Sequence, residues 1–218
     1  MFPVRAAVLV LGVCLLNGGV AGAGQSSPVG AQVAGRSIFG PPPPEAPEIQ
    51  TRDAATGLTT VRATRAPEGF TFDGKLDEPV YGVVKPITGF YQVLPDNGKE
   101  ATEHTEVWIF YDRNNVYVAA RLWVKDPATL IANELRRDRA RQNDDFGIAF
   151  DTFYDRQTGF LFYTTPIGAL GDCQVGEAAG ATNCDYNAVW DVRTSRFDGG
   201  WTAEFKIPFS QLQVDAGD

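Results

Sequence analysis

Thr105–Val124, "TEVWIFYDRNNVYVAARLWV", is the stretch whose reading decides the fold. Two runs rich in aromatic and β-branched residues flank a polar "RNN". Side chains alternate along a strand, so Val107, Ile109 and Tyr111 share one face, and Trp108 and Phe110 take the other. Both faces are apolar, so each needs a cover. The pattern predicts a β-hairpin.

Working outward, the pattern stays β. In "DPATL", Asp126 caps and Pro127 opens a single helical turn. Ile131–Asp138 fits a helix or an edge strand, and a strand is the preferred expectation. Phe146–Phe153 and Phe160–Pro166 read as strands joined by the turn "YDRQTG". Ala188–Phe197 and Trp201–Phe209 form a last hairpin around "DGG". Short strands with turns between them, no long amphipathic helix and no internal repeat predict an all-β, antiparallel β-sandwich. Its first residues are "FTFDGKLDEPVY", Phe70–Tyr81. There Asp73-Gly74 makes a turn, and Asp77 is placed to cap a helical turn that begins near Pro79.

Upstream, the sequence changes character. Residues 1–23 carry Arg5, an apolar run from Ala6 to Leu16, and Ala21-Gly22-Ala23, the features of a cleavable signal peptide. The run is shorter than the roughly 20 residues that a membrane-spanning helix needs. A lipoprotein signal at Leu11-Gly12-Val13-Cys14 is the rival reading, although Val13 is bulky for such a site. Residues 24–66 are rich in Gly, Ser, Ala and Thr, include the Pro41–Pro44 run, and read as a disordered linker. The sandwich then occupies 67–218. The formal net charge of −8 argues against a nucleic-acid partner. Export puts Cys173 and Cys184 in an oxidising compartment, where a disulfide would close a Gly/Ala-rich loop and contribute roughly 2–3 kcal/mol.

Taken in order, Phe72–Tyr81, Ala101–Pro127, Arg136–Asp172 and Trp190–Leu212 resemble the family 9 carbohydrate-binding modules. The form they resemble most is found at the N-terminus of bacterial outer-membrane β-barrel proteins. The resemblance implies a jelly-roll-like sandwich that binds oligo- or polysaccharide and serves carbohydrate catabolism, in some relatives beside xylanases that hydrolyse O-glycosyl bonds. It also implies a periplasmic or outer-membrane location, and in some relatives a structural calcium. Those relatives continue past Ile207–Leu212 with one more strand, which implies a sequence truncated before its last strand. Tyr81 stands where the family usually has Trp. The Cys173–Cys184 insert is longer than the pattern leads one to expect.

The residues themselves leave several sites open. Sugars stack on flat rings, and Trp108, Trp123, Tyr91 and Tyr154 are the candidate platforms. Trp108 and Trp123 lie on adjacent strands and can share a face. Trp190 and Trp201 alternate with apolar neighbours and are expected in the core. His104 reads as a solvated side chain. For calcium, Asp144 and Asp145 are the candidate ligands. Asp151 lies about 20 Å along the strand from Asp145, too far for one ion. The Arg136–Arg141 basic run would otherwise pair with them. Glu78, Glu106, Asp145, Asp151, Asp191 and Glu204 offer carboxylates for hydrolysis, but nothing singles out a pair. The alternative function is a structural plug or docking domain of an outer-membrane barrel with no sugar ligand.

Overall fold

The hairpin forms in the computed structural model, which describes residues 6–11 (backbone only), 48–55, 59–139, 142–152, 155, 157–176 and 182–212. Strands β5 (Thr105–Tyr111) and β6 (Asn115–Trp123) pair antiparallel, with Thr105 opposite Leu122 and Tyr111 opposite Val116. The Asp112 carboxylate holds the turn by accepting from the Asn114 and Asn115 backbone N–H groups, each at 2.7 Å.

The remaining elements are β1 (Ala6–Leu11), β2 (Gln50–Arg52), β3 (Thr59–Val61), β4 (Thr64–Arg65), α1 (Pro79–Val83), β7 (Asp145–Phe150), β8 (Gly159–Thr164), β9 (Leu170–Val175), β10 (Thr182–Asn183), β11 (Asp191–Phe197) and β12 (Gly200–Pro208). One five-stranded sheet has the order β11-β12-β6-β5-β4, and the other the order β1-β7-β8-β9-β10. The architecture is a β-sandwich with almost no helix among the described residues, as the strand spacing predicted. Apolar residues of both sheets meet between them. Val107, Ile109, Val118, Phe146, Ile148, Phe162, Trp190, Trp201 and Phe205 share this core, and Trp190 stacks on Phe205 with centroids 5.5 Å apart.

The alternation in β5 has the expected consequence. Trp108 and Phe110 point away from the main core into a second cluster with Leu76, Tyr81, Tyr117 and Ala119. The cover is the Phe70–Tyr81 stretch, and Phe70 packs edge-on to Tyr117 at 5.2 Å. Glu204 of β12 ties it down. Its carboxylate accepts from the backbone N–H of Asp73 at 3.0 Å, from that of Gly74 at 2.7 Å, and from the Tyr81 hydroxyl at 2.5 Å. Gly74 is required twice over. Its φ is +84°, and a Cβ there would lie 2.9 Å from the Arg193 carbonyl carbon.

Four local expectations change. Within the segment read as linker, β2 and β3 form a hairpin and β4 pairs parallel with β5. Such short edge strands carry too few residues to show periodicity. Residues 24–47 lie outside the described residues. Ile131–Asp138 makes no strand; its backbone is held by side chains instead, Ile131 N–H donating to Asp144 and Asn133 N–H to Asn143, each at 2.7 Å. The N-cap of α1 is Glu78, without a side-chain cap bond, so Asp77 does not cap it. Among the described residues, the basic run pairs with carboxylates other than Asp144 and Asp145. Arg136 binds Glu134, and Arg137 binds Asp172.

Strand β9 went unrecognised because Gly171 and Asp172 interrupt its apolar run, yet Asp172 is fully buried. Ala6–Leu11, in the segment expected to leave as a signal peptide, runs parallel to β7, with Ala6 opposite Asp145 and Leu11 opposite Phe150. The expected disulfide joins Cys173 and Cys184.

Candidate functional site

The four tryptophans differ in exposure, and that singles out a candidate site. Trp108, Trp190 and Trp201 are 2%, 6% and 2% exposed, whereas Trp123, the last residue of β6, is only partly buried. Its backbone N–H donates to the His104 carbonyl at 3.0 Å, which extends the hairpin register by one residue. The His104 ring therefore lies 4.7 Å from the Trp123 ring. On another side Phe197 meets Trp123 edge-on at 5.8 Å.

The β11–β12 turn brings Phe197 there. Gly200 lies so close to its neighbours that a Cβ would stand 2.1 Å from the Leu122 carbonyl oxygen and 2.6 Å from the Phe197 ring. Only glycine lets the turn close against β6. The Val124 N–H donates to the Gly199 carbonyl at 2.8 Å and the Lys125 N–H to the Glu103 carboxylate at 3.2 Å, fixing the rim. The result is an open cleft of about 560 Å³ lined by Thr102, Glu103, His104, Trp123, Lys125 and Gly199 among others. It combines a flat aromatic wall with an acid, a base, a hydroxyl and an imidazole, groups that suit a neutral, many-hydroxyl ligand.

Behind the cleft, Arg121 links the two predicted aromatic candidates. Its guanidinium carbon lies 5.3 Å from the Trp108 ring centroid and 5.9 Å from that of Trp123. It also donates to the Leu76 carbonyl at 2.9 Å and to Glu106 at 3.3 Å, and Glu106 lies 3.5 Å from His104. Trp108 and Trp123 thus share a face, as read from the hairpin, but they form no joint platform. Trp108 is sealed under Tyr81, with ring centroids 5.2 Å apart, and its Nε1–H donates to the Val84 carbonyl at 2.9 Å.

The other candidates lie elsewhere. Tyr91 is 46% exposed, and the Arg52 guanidinium covers one ring face at 4.6 Å. Tyr154 lies outside the described residues. Asp144 accepts from Ile131 N–H, and among the described residues no group of three or more His, Cys, Asp or Glu side chains is arranged to hold a metal. Glu204 is buried beneath Phe70–Tyr81, and Glu106 pairs with Arg121, so neither faces a cleft as a free acid. His104, Lys125, Glu103 and Phe197 were not among the candidates. The register signal for His104 was present: one residue beyond the Thr105–Leu122 pair stands Trp123.

Burial and the neighbouring Asp144 push the Asp145 carboxyl up to about 6. The fold therefore favours its protonated form. Stability is full below about pH 4, where both folded and unfolded chains are protonated, and is lost as pH rises toward about 6. Asp145→Asn is expected to leave stability at pH 4 unchanged and to raise it by about 1–2 kcal/mol at pH 7.5, measured by urea unfolding at both pH values.

Among known proteins, no family profile and no curated sequence matches the chain. Solved structures similar to it include the following two. One is a carbohydrate-binding module family 9 domain from Caldicellulosiruptor kristjanssonii in complex with glucose, at 15% identity, covering 71% of this chain and 71% of that one, TM-score 0.48. The other is such a domain from the same organism in complex with cellotriose, at 16% identity, covering 71% and 70%, TM-score 0.48.

Proposed function

We propose that this domain binds saccharides and that Trp123 is the wall on which a sugar ring stacks. Trp123 carries the reading: it is the tryptophan whose ring solvent still reaches, and polar groups able to bond sugar hydroxyls surround it. The ordered sequence resemblance to family 9 modules supports the same ligand class. A role in carbohydrate catabolism beside a hydrolase belongs to this reading. So does export to the periplasm or outer membrane, for which the leader-like residues 1–23 and the Cys173–Cys184 disulfide speak. Sequencing the N-terminus of the exported protein tests that part, with Gly24 expected first.

The binding test is titration calorimetry with glucose, cello-oligosaccharides and xylo-oligosaccharides. Saturable binding to the unaltered protein is expected, and Trp123→Ala should weaken it at least about tenfold, a loss of about 1.4 kcal/mol. His104→Ala, at the edge of the ring, should do less. No binding of any saccharide by the folded protein would sink this reading. It would favour a docking domain of an outer-membrane barrel, for which the exposed Val93 and Leu94, at 77% and 85%, offer an apolar contact.

A further inference from the structure

Histidine occurs once in this chain, and it lines the cleft. The His104 side chain is 57% exposed, and its Nε2 lies 3.5 Å from Glu106 Oε1. Glu106 sits on β5, and its other carboxylate oxygen accepts from Arg121 of β6 at 3.3 Å. An ionised carboxylate only accepts, so a bare ring nitrogen facing it would set lone pair against lone pair. The contact therefore assigns the proton of the neutral imidazole to Nε2, which leaves the lone pair on Nδ1. Among the described residues, no hydrogen bond or ion pair engages Nδ1.

Neutral imidazole thus offers a ligand an acceptor at Nδ1. Proton uptake turns the same atom into a cationic donor, an exchange that histidine makes between about pH 5 and 8. A sugar hydroxyl satisfies either form, because it donates as well as accepts. A sugar carboxylate satisfies only the second. The other charges around the ring are Glu106 and Arg121 behind it and Glu103 and Lys125 on the rim, with Asp198 in the β11–β12 turn that packs on Trp123 through Phe197. Three of these are negative and two positive, so an imidazolium cancels the excess that would repel a carboxylate. We propose that His104 is the specificity-determining residue of the cleft: near neutral pH it favours uncharged saccharides, and in acid it admits saccharides that carry a uronic-acid carboxylate. The inference rests on the saccharide reading above.

The test uses the full chain with cellobiose and cellobiouronic acid. The two sugars differ in one primary alcohol oxidised to a carboxylate. Titration calorimetry at about pH 5 and about pH 8 gives the ratio of acid-sugar to neutral-sugar affinity at each end of the histidine range. That ratio should be at least about threefold higher in acid, the size expected of one exposed charge pair. His104→Gln keeps a side chain that donates and accepts but cannot change charge, and its ratio should be the same at both pH values. Should that variant not fold, His104→Asn decides by the same ratio. A ratio that does not rise in acid in the unaltered chain overturns the proposal. So does a rise that persists in the variant, which would put the titration on Glu103, Glu106 or Asp198. Binding of neither disaccharide also overturns it, and the oligosaccharide titrations above then decide whether the saccharide reading falls with it.

Discussion

Glu204→Ala is expected to cost about 3–5 kcal/mol of stability, measured by urea unfolding. Glu204 is 2% exposed, and its carboxylate satisfies three donors, the N–H groups of Asp73 and Gly74 and the Tyr81 hydroxyl. Removing it strands donors in a covered site, each at about 1–3 kcal/mol, with some recovery from entering water. Tyr81→Phe removes one donor and should cost about 1–2 kcal/mol. In a double-mutant cycle the pair should fall short of additivity, because Tyr81 has less to lose once Glu204 is gone. Burial pushes the carboxyl of Glu204 up from its ordinary value despite these donors, and the charge of Glu78 adds to the effect. The ionised form is therefore held at a cost, which Glu204→Gln would remove while keeping one acceptor oxygen. That variant should lose less than alanine.

The damage should reach the cleft. Phe70–Tyr81 supplies the Leu76 carbonyl that holds Arg121, and Arg121 lies behind Trp123. Once Glu204 no longer fastens the turn, Arg121 loses a fixed partner. Saccharide affinity should fall in Glu204→Ala even under conditions where the protein stays folded, although no atom of Glu204 lines the cleft. A variant that loses stability but keeps full affinity would break this link.

The sandwich was legible because its central strands are long and apolar on both faces. Thr105–Val124 shows the hairpin and the two buried sides of β5 directly. The elements that were missed lack that signal. Strands β2, β3 and β4 are two or three residues long, too short to show a period, and β4 pairs with β5, a partner distant in sequence. Ile131–Asp138 has a strand-like composition, yet side-chain acceptors on Asn143 and Asp144 satisfy its backbone, so it needs no ladder. The candidate site was half legible. Trp123 could be named, but its exposure depends on how Tyr81 seals Trp108 and how the Gly200 turn delivers Phe197. Both are contacts between segments far apart in the chain, which local pattern does not encode. Asp172 shows the opposite failure: a carboxylate in a Gly-rich run reads as a loop, while the fold buries it completely.

Arg137→Ala is expected to cost about 3–5 kcal/mol, because it abandons that carboxylate. Asp172 is 0% exposed and accepts from the Ala188 N–H at 2.8 Å, from Trp190 Nε1–H at 3.1 Å and from the Arg137 guanidinium. Arg137 also donates to the Ala188 carbonyl at 2.6 Å. Without it, Asp172 keeps two neutral donors but no countercharge, and the carbonyl loses its partner. Asp172→Asn keeps the volume and one acceptor oxygen, and the 34% exposure of the Arg137 side chain lets water screen the cation left over. Its cost should be smaller, about 2–3 kcal/mol. Replacing both, with Arg137→Met and Asp172→Leu, removes the buried charges together and should cost less than the two single losses added. The network also orients Trp190, whose ring stacks on Phe205 at the centre of the core. Both single variants should therefore change near-ultraviolet circular dichroism before the unfolding transition begins. An unaltered aromatic signal with full stability in Arg137→Ala would mean that the remaining donors suffice to hold Asp172.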